Sequence, residues 1–262
     1  MSAARKTPRT PPRKAARNQP RKTTPVSRAR RRPVSRELRA AVCHANIELF
    51  RRDLARFTFG NASAIDRELG LIVIKPSGVP YAKLTPSKLV ITDLDGAVVE
   101  GSLRPSSDVA THVALYRAFP KIGGVVHTHS MFATVFAQAC RDIPCLGTTH
   151  ADFFHGSVPV TAPLSAADIA SDYERNTGRA IVRRFQTIDP STMPAVLVAN
   201  HASFCWGPTV DAAVENASYL EEVATMAYHT LVLSPHAPPI AAVLLDKHFS
   251  RKHGAGAYYG QR

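Results

Sequence analysis

Cysteine is scarce: there are four in 262 residues, Cys43, Cys140, Cys145 and Cys205, and no C-x-x-C pair among them. A small disulfide-stapled fold is thereby excluded, and the expectation is reduced thiols in a cytoplasmic protein. No G-x-G-x-x-G is present, so nothing argues for a nicotinamide cofactor. An apolar core after the N-terminal arginines is also missing, so no secretory signal is expected. Residues 122–140 and 191–210 lack Asp, Glu, Lys and Arg. Their His, Asn, Gln, Gly, Pro and Ser/Thr content marks them as buried elements of a soluble fold, not membrane spans. No internal repeat is found.

Acids are absent before Glu37. Residues 1–39 hold 14 Lys and Arg against that single acid, whereas the rest balances at 19 bases and 19 acids. The whole formal charge of +13 therefore belongs to the tail. Residues 1–34 carry six prolines and almost no large apolar side chain, so burial cannot offset their ordering entropy. They are expected to form a disordered basic tail. Nucleic-acid binding would reside there alone, and the prolines oppose the helix that a mitochondrial-type presequence needs.

Residues 35–262 are expected to form one domain, large enough to fold without a disulfide or metal. Ser35 is a plausible N-cap, followed by Leu38, Ala41, Val42, Ala45 and Leu49 at helical spacing. Helical patterns recur at Val109–Phe119, after Ser130, after Ser165 and over Val210–Tyr228. Strand-like runs lie at Leu71–Ile74, Leu89–Ile91, Gly124–Val126 and Ala195–Ala199, and Asp95-Gly96 reads as a hairpin turn into Ala97–Val99. Strands alternating with helices, with hairpins among them, predict an α/β fold around a mixed sheet.

Several residues offer chemistry. His127-Thr-His129 follows the run Gly124–Val126, and a period of two places both imidazoles on one face at a strand end. Such pairs also occur as structural hydrogen-bonding groups, but His201 likewise follows an apolar strand-like run. Three neutral imidazoles without a fourth Cys describe an open, catalytic metal site better than a closed structural one. Asp108 and Asp152 lie near these elements, as a helix N-terminal Asp and a loop Asp or as site carboxylates. Lys75-Pro-Ser-Gly78 and Ser106-Ser107 form a turn and a helix cap, or together an anion site. Residues 248–261, with His248, Lys252, His253, Tyr258 and Tyr259, show little apolar periodicity and read locally as a frayed terminus.

These segments share a pattern: Gly60-Asn61, KPSG at 75–78, PSSD at 105–108 with His112, GGVVHTHS at 123–130, GTTHAD at 147–152, His201 before FCWG, and LDKHFSRKHGAGAYYGQ at 245–261. From about residue 36 to the C-terminus the chain resembles the sugar-phosphate epimerases of the class II aldolase and adducin-head family. The resemblance implies an α/β/α sandwich around a mixed, largely antiparallel sheet, assembled as a homotetramer. It also implies one zinc or other divalent ion per chain, on His127, His129 and His201 with Asp108 as a further or near ligand. By the same resemblance Asn61, Lys75, Ser77, Gly78, Ser106 and Ser107 hold the substrate phosphate. Asp152 and Tyr259 form the acid/base pair, and His248 comes from an adjoining subunit. The implied activity interconverts L-ribulose 5-phosphate and D-xylulose 5-phosphate.

That reaction suits the parts. C4 of a ketopentose phosphate is not adjacent to the carbonyl, so its proton is not acidic enough for simple abstraction, and cleaving C3–C4 avoids the difficulty. A metal on the C2 and C3 oxygens would stabilise the resulting enediolate. The nearest rival is an aldolase of the fuculose or rhamnulose phosphate type, which resembles this chain with Glu in place of Asp108. A non-enzymatic adducin-like scaffold would be marked by loss of the metal histidines, and a nucleic-acid binder rests on the tail alone. The sequence departs from the family pattern at Asn200-His201-Ala202, where a second His or a Gly is common.

Overall fold

A computed structural model describes residue 1, residues 32–254 and residues 256–259. Apart from Met1 and residues 32–34, the basic tail lies outside the described residues. Within the unit Pro33–Arg262, Val34 is already buried, one residue before the boundary expected from composition. The Ser35 hydroxyl accepts from the Leu38 amide at 3.1 Å and caps α1 (Arg36–Arg51), whose Val42, Ala45 and Leu49 enter the core.

The strands are β1 (Asn61–Asp66), β2 (Leu71–Ile74), β3 (Val90–Asp93), β4 (Val98–Glu100), β5 (Gly124–Thr128), β6 (Ala195–Leu197) and β7 (Ser203–Gly207). They form one sheet in the order β4-β3-β2-β1-β5-β7-β6. Every pairing of named strands is antiparallel, in keeping with the largely antiparallel sheet that the family resemblance implies, and the isolated Val160–Leu197 bridge is parallel. The remaining helices are α2 (Val109–Ala118), α3 (Met131–Gln138), α4 (Thr148–Ala151), α5 (Ala166–Ala170), α6 (Tyr173–Arg184), α7 (Val210–Leu233) and α8 (Ala242–His253). The helical pattern after Ser165 is thus broken into α5 and α6, and the terminus read as frayed contains α8.

Pairing across the sheet decides which side chains share a face. Asn61, His127 and Phe204 are aligned on β1, β5 and β7, as are Ser63, Val125 and Trp206. Directly opposed residues point the same way. This face meets α2: the Ser63 hydroxyl contacts His112 Nδ1 at 2.7 Å and Tyr116 Oη at 2.8 Å, and Phe119 packs on Trp206. The opposite face carries Ala62, Val126 and Cys205 under α1 and α7. Asn46 of α1 donates to the Ala62 carbonyl and accepts from its amide, at 3.0 and 2.8 Å, fixing β1 to that helix. Helix α7 enters so close to β5 that a Cβ on Gly124 would overlap the backbone of Val210. Among the described residues, no helix is long and apolar enough to cross a membrane. All four cysteines are free.

Candidate active site

Three imidazoles meet where β5 ends. His127 is the penultimate residue of the strand, and its partners Asn61 and Phe204 hold its backbone on both sides. Its Nδ1 donates to the Ser203 carbonyl at 2.8 Å and its ring stacks on Phe204, so Nε2 is left as a bare lone pair. His129 follows two residues on. His201 arrives from the turn between β6 and β7, which reverses through Asn200 at φ +60°. The His127–His129, His127–His201 and His129–His201 ring centroids are 4.9, 5.0 and 5.0 Å apart, a nearly equilateral cluster. One donor atom from each lies within 4.8 Å of the others. Burial, with His127 as a like charge nearby, pushes the His201 pKa down to about 4, and burial lowers those of His127 and His129. The cluster is therefore neutral at pH 7, the protonation state a ligand set requires.

Asp108 stands beside the triad. Its Oδ2 accepts from Asn61 Nδ2 at 2.7 Å and from the Ser106 hydroxyl at 3.3 Å. Burial would raise its pKa, but His127, His112 and the Asn61 amide outweigh that and hold it below the ordinary carboxylate value.

The KPSG and RPSS segments are zipped together. Ser77 N–H donates to the Arg104 carbonyl and Ser106 N–H to the Lys75 carbonyl, each at 3.0 Å, around a Pro76–Pro105 bridge. Gly78 takes φ +67°, a left-handed conformation that glycine adopts without strain. Lys75 is only 2% exposed, its ammonium lies 4.9 Å from the Tyr81 ring centre, and among the described residues no carboxylate pairs with it. Burial lowers its pKa, and the nearby Asp108 charge opposes that shift. A buried cation with no carboxylate in direct contact is costly, and an anionic ligand would relieve that cost. One cavity of about 360 Å³ is lined by Asn61, Lys75, Ser77, Gly78, Ser106, Ser107, Asp108 and all three imidazoles.

Asp152, His248 and Tyr259 are gathered elsewhere, where α8 packs on α4. Arg251 grips the Asp152 carboxylate through two bonds of 3.0 and 2.7 Å, with His248 Nδ1 at 3.0 Å and Lys252 Nζ at 3.8 Å. Burial raises the Asp152 pKa, but the bonds from Arg251 and His248 prevail and lower it. The Arg251 guanidinium lies 4.7 Å from the centre of the Tyr259 ring, which is 58% exposed. None of these residues lines the cavity of the triad. Tyr259 instead borders a larger cavity, about 880 Å³, with Ile122 and Gly207 at the opposite end of β5. Size does not locate the chemistry here, because the smaller cavity holds the converging imidazoles and the unpaired lysine.

Residues 40–228 match the model of the class II aldolase and adducin N-terminal domain family. The chain belongs to this family. It is 50% identical, over 86% of its length and 99% of theirs, to proteins named L-ribulose-5-phosphate 4-epimerase UlaF from Salmonella paratyphi C (strain RKS4594) and Salmonella typhi. An L-fuculose 1-phosphate aldolase structure superposes with a TM-score of 0.71 at 23% identity, covering 83% of this chain and 97% of its own. An aldolase II superfamily protein from Pseudomonas syringae gives a TM-score of 0.70 at 15% identity, with 88% and 89% covered. At such identities these two structures establish the fold alone.

In this class II aldolase-family chain the triad fits a divalent metal. The Nε2 atoms of His127 and His129 are 3.1 Å apart, against roughly 3.3 Å for two tetrahedral ligands at zinc–nitrogen distances. The structure brings together ten of the thirteen site residues expected from sequence, and it separates Asp152, His248 and Tyr259 from them within one chain. It also adds three that sequence reasoning missed. Tyr173 and Glu174 line the triad cavity, and Arg251 joins Asp152 to Tyr259. Nothing in the run Ser171–Thr177 marks chemistry, since an Asp before an amphipathic helix is the ordinary pattern of a helix start.

Proposed function

We propose that this chain is a metal-dependent epimerase that interconverts L-ribulose 5-phosphate and D-xylulose 5-phosphate by breaking and remaking C3–C4. The observation that carries the reading is the shared cavity of the neutral His127–His129–His201 cluster and the unpaired, buried Lys75. A phosphate needs cationic and N–H donors, and a sugar backbone of a few carbons spans from such a cradle to the imidazoles. The substrate named for the 50% identical relatives is of this class.

Lys75 would hold the phosphate together with the Ser77, Gly78, Ser106 and Ser107 segment, so the cleaved two-carbon aldehyde stays bound by its phosphate. One zinc or other divalent ion on His127, His129 and His201, with Asp108 beside it, would supply a Lewis acid for the charge left by C3–C4 cleavage. Cleavage turns the C4 hydroxyl into an aldehyde, and its proton passes to a base. Rotation of the aldehyde presents the other face, and re-addition draws a proton from an acid on that side. Asp152, held ionised, suits the first role, and the Tyr259 hydroxyl, a proton donor, suits the second. Both lie outside their own chain's triad cavity, so each site is completed by a neighbouring subunit in a homotetramer. The free thiols accord with a cytoplasmic location.

The test is incubation with L-ribulose 5-phosphate and, separately, with L-fuculose 1-phosphate and L-rhamnulose 1-phosphate. Formation of D-xylulose 5-phosphate from the first, without release of dihydroxyacetone and glycolaldehyde phosphate, supports the epimerase. Release of dihydroxyacetone phosphate from either 1-phosphate indicates the fuculose or rhamnulose phosphate type of aldolase instead.

A further inference from the structure

The three imidazoles are not held alike. His127 sits in a strand paired on both sides, its ring stacked on Phe204 and its Nδ1 tied to the Ser203 carbonyl. His201 lies on the turn between β6 and β7, after Asn200 at φ +60° and outside the strand ladder. Among the described residues, the one polar group in hydrogen-bond contact with its ring is the Tyr173 hydroxyl, 3.2 Å from Nδ1. We propose that Tyr173 is a positioning residue for His201, fixing its ring so that Nε2 faces His127 and His129. This rests on the metal-site reading above.

Tyr173 is well placed to do so because its own position is fixed from two directions. It opens α6, where the Thr111 hydroxyl of α2 donates to the neighbouring Glu174 carbonyl at 2.6 Å and the Thr177 hydroxyl donates to the Tyr173 carbonyl at 2.9 Å. Further along α6, Gly178 lets the helix lie against α2, since a Cβ there would come within 2.6 Å of the Ala114 methyl. The phenol therefore reaches the triad cavity from a helix anchored in the fold. An imidazole that keeps its Nδ1 proton on a fixed acceptor presents an unprotonated Nε2 in one orientation. Without that acceptor, rotation of the ring replaces the nitrogen with a carbon, and among the described residues no other polar group is in hydrogen-bond contact with the ring to prevent it.

The experiment compares the full-length wild-type chain with Tyr173→Phe, which keeps the aromatic ring and removes only the hydroxyl. Zinc affinity is read by competition with a chromophoric chelator, the cobalt-substituted chain by its visible absorption, and the metal-free fold by thermal unfolding. The expected result is 10- to 100-fold weaker zinc binding and an altered cobalt spectrum, with the melting temperature of the metal-free chain unchanged. Zinc affinity within twofold of wild type overturns the inference. A purely structural tyrosine would also refute it, by lowering the melting temperature while leaving affinity and spectrum alone. Failure of the wild-type chain to bind zinc more tightly than His127→Asn would overturn the metal site itself and this inference with it.

Discussion

His127 and His129 direct their Nε2 atoms at each other across 3.1 Å. Because His127 Nδ1 donates to the Ser203 carbonyl, its Nε2 is a lone pair, and His129 Nε2 meets it as an N–H donor in one neutral tautomer or shares a cation with it in the other. Chelation or His127→Asn should therefore remove one metal ion per chain and reduce turnover by about three orders of magnitude. Elemental analysis and rate measurements check this. The chain should stay folded, because its core is built around the sheet and not the metal.

Lys75 ties stability against binding. Its ammonium is buried with no carboxylate in direct contact, and the nearby Asp108 charge does not outweigh the burial, so Lys75→Met should keep the packing of the stem, remove the desolvation cost and stabilise the chain by about 1 kcal/mol. The same change should raise KM about 10- to 100-fold, as expected for a lost charge-assisted phosphate contact, with a smaller effect on kcat. Thermal unfolding and steady-state kinetics read the two effects separately. A rise in KM accompanied by lower stability would mean that the ammonium supports the fold.

Much of this site was legible because its residues sit at strand ends and in short loops with distinctive neighbours. Strand β5, helix α1 and helix α7 follow from apolar periodicity. Strand β1 did not, because Asn61, Ala62, Ser63 and Ala64 have little intrinsic strand preference and are held in place by Asn46 and by pairing on both sides. Helix α8 was missed for a different reason. It docks through charge, Arg251 and His248 on Asp152, while Val243 and Leu244 remain exposed, so it has no buried apolar stripe to detect. The antiparallel character of the sheet came from the family resemblance, because element order alone does not say in which direction a strand returns after a helix.

Stability should fall with acid through His112. This ring is fully buried against Ser63, and burial, together with the nearby His127, pushes its pKa down to about 3 although Asp108 opposes the shift. The unfolded chain takes up the proton near pH 6.5, and the folded chain resists it. The contribution is complete above about pH 6.5 and is lost as pH falls from there towards about 3, by up to about 1.4 kcal/mol per pH unit. Urea midpoints of the metal-free chain between about pH 6.5 and 4.5, above the carboxylate range, should show His112→Gln with the shallower slope. Equal slopes would mean that this ring is already protonated in the folded state.

Asp152→Asn should separate chemistry from architecture. The amide keeps the shape and can still meet Arg251 and His248 with one oxygen, but it cannot take the proton of a hydroxyl. Metal content should be unchanged while epimerisation drops by about 100- to 10,000-fold. Near-normal turnover would leave Asp152 as no more than the anchor of α8.

Tyr259 and the triad should act from different chains. Within one chain, Tyr259 is exposed beside Arg251 and absent from the cavity that holds His127, His129 and His201. Residues at an exposed, largely polar terminus serve a neighbouring copy more readily than their own core. Tyr259→Phe and His127→Asn should each be nearly inactive, the first with its metal retained. When the two variants are mixed under conditions that exchange subunits, some interfaces join an intact triad to an intact tyrosine, and part of the activity should return. Mass spectrometry of the mixed oligomers verifies the exchange independently of activity. Verified exchange without recovery would place the tyrosine and the triad of one site on the same chain or remove Tyr259 from the reaction, because a shared site has no other way to stay silent.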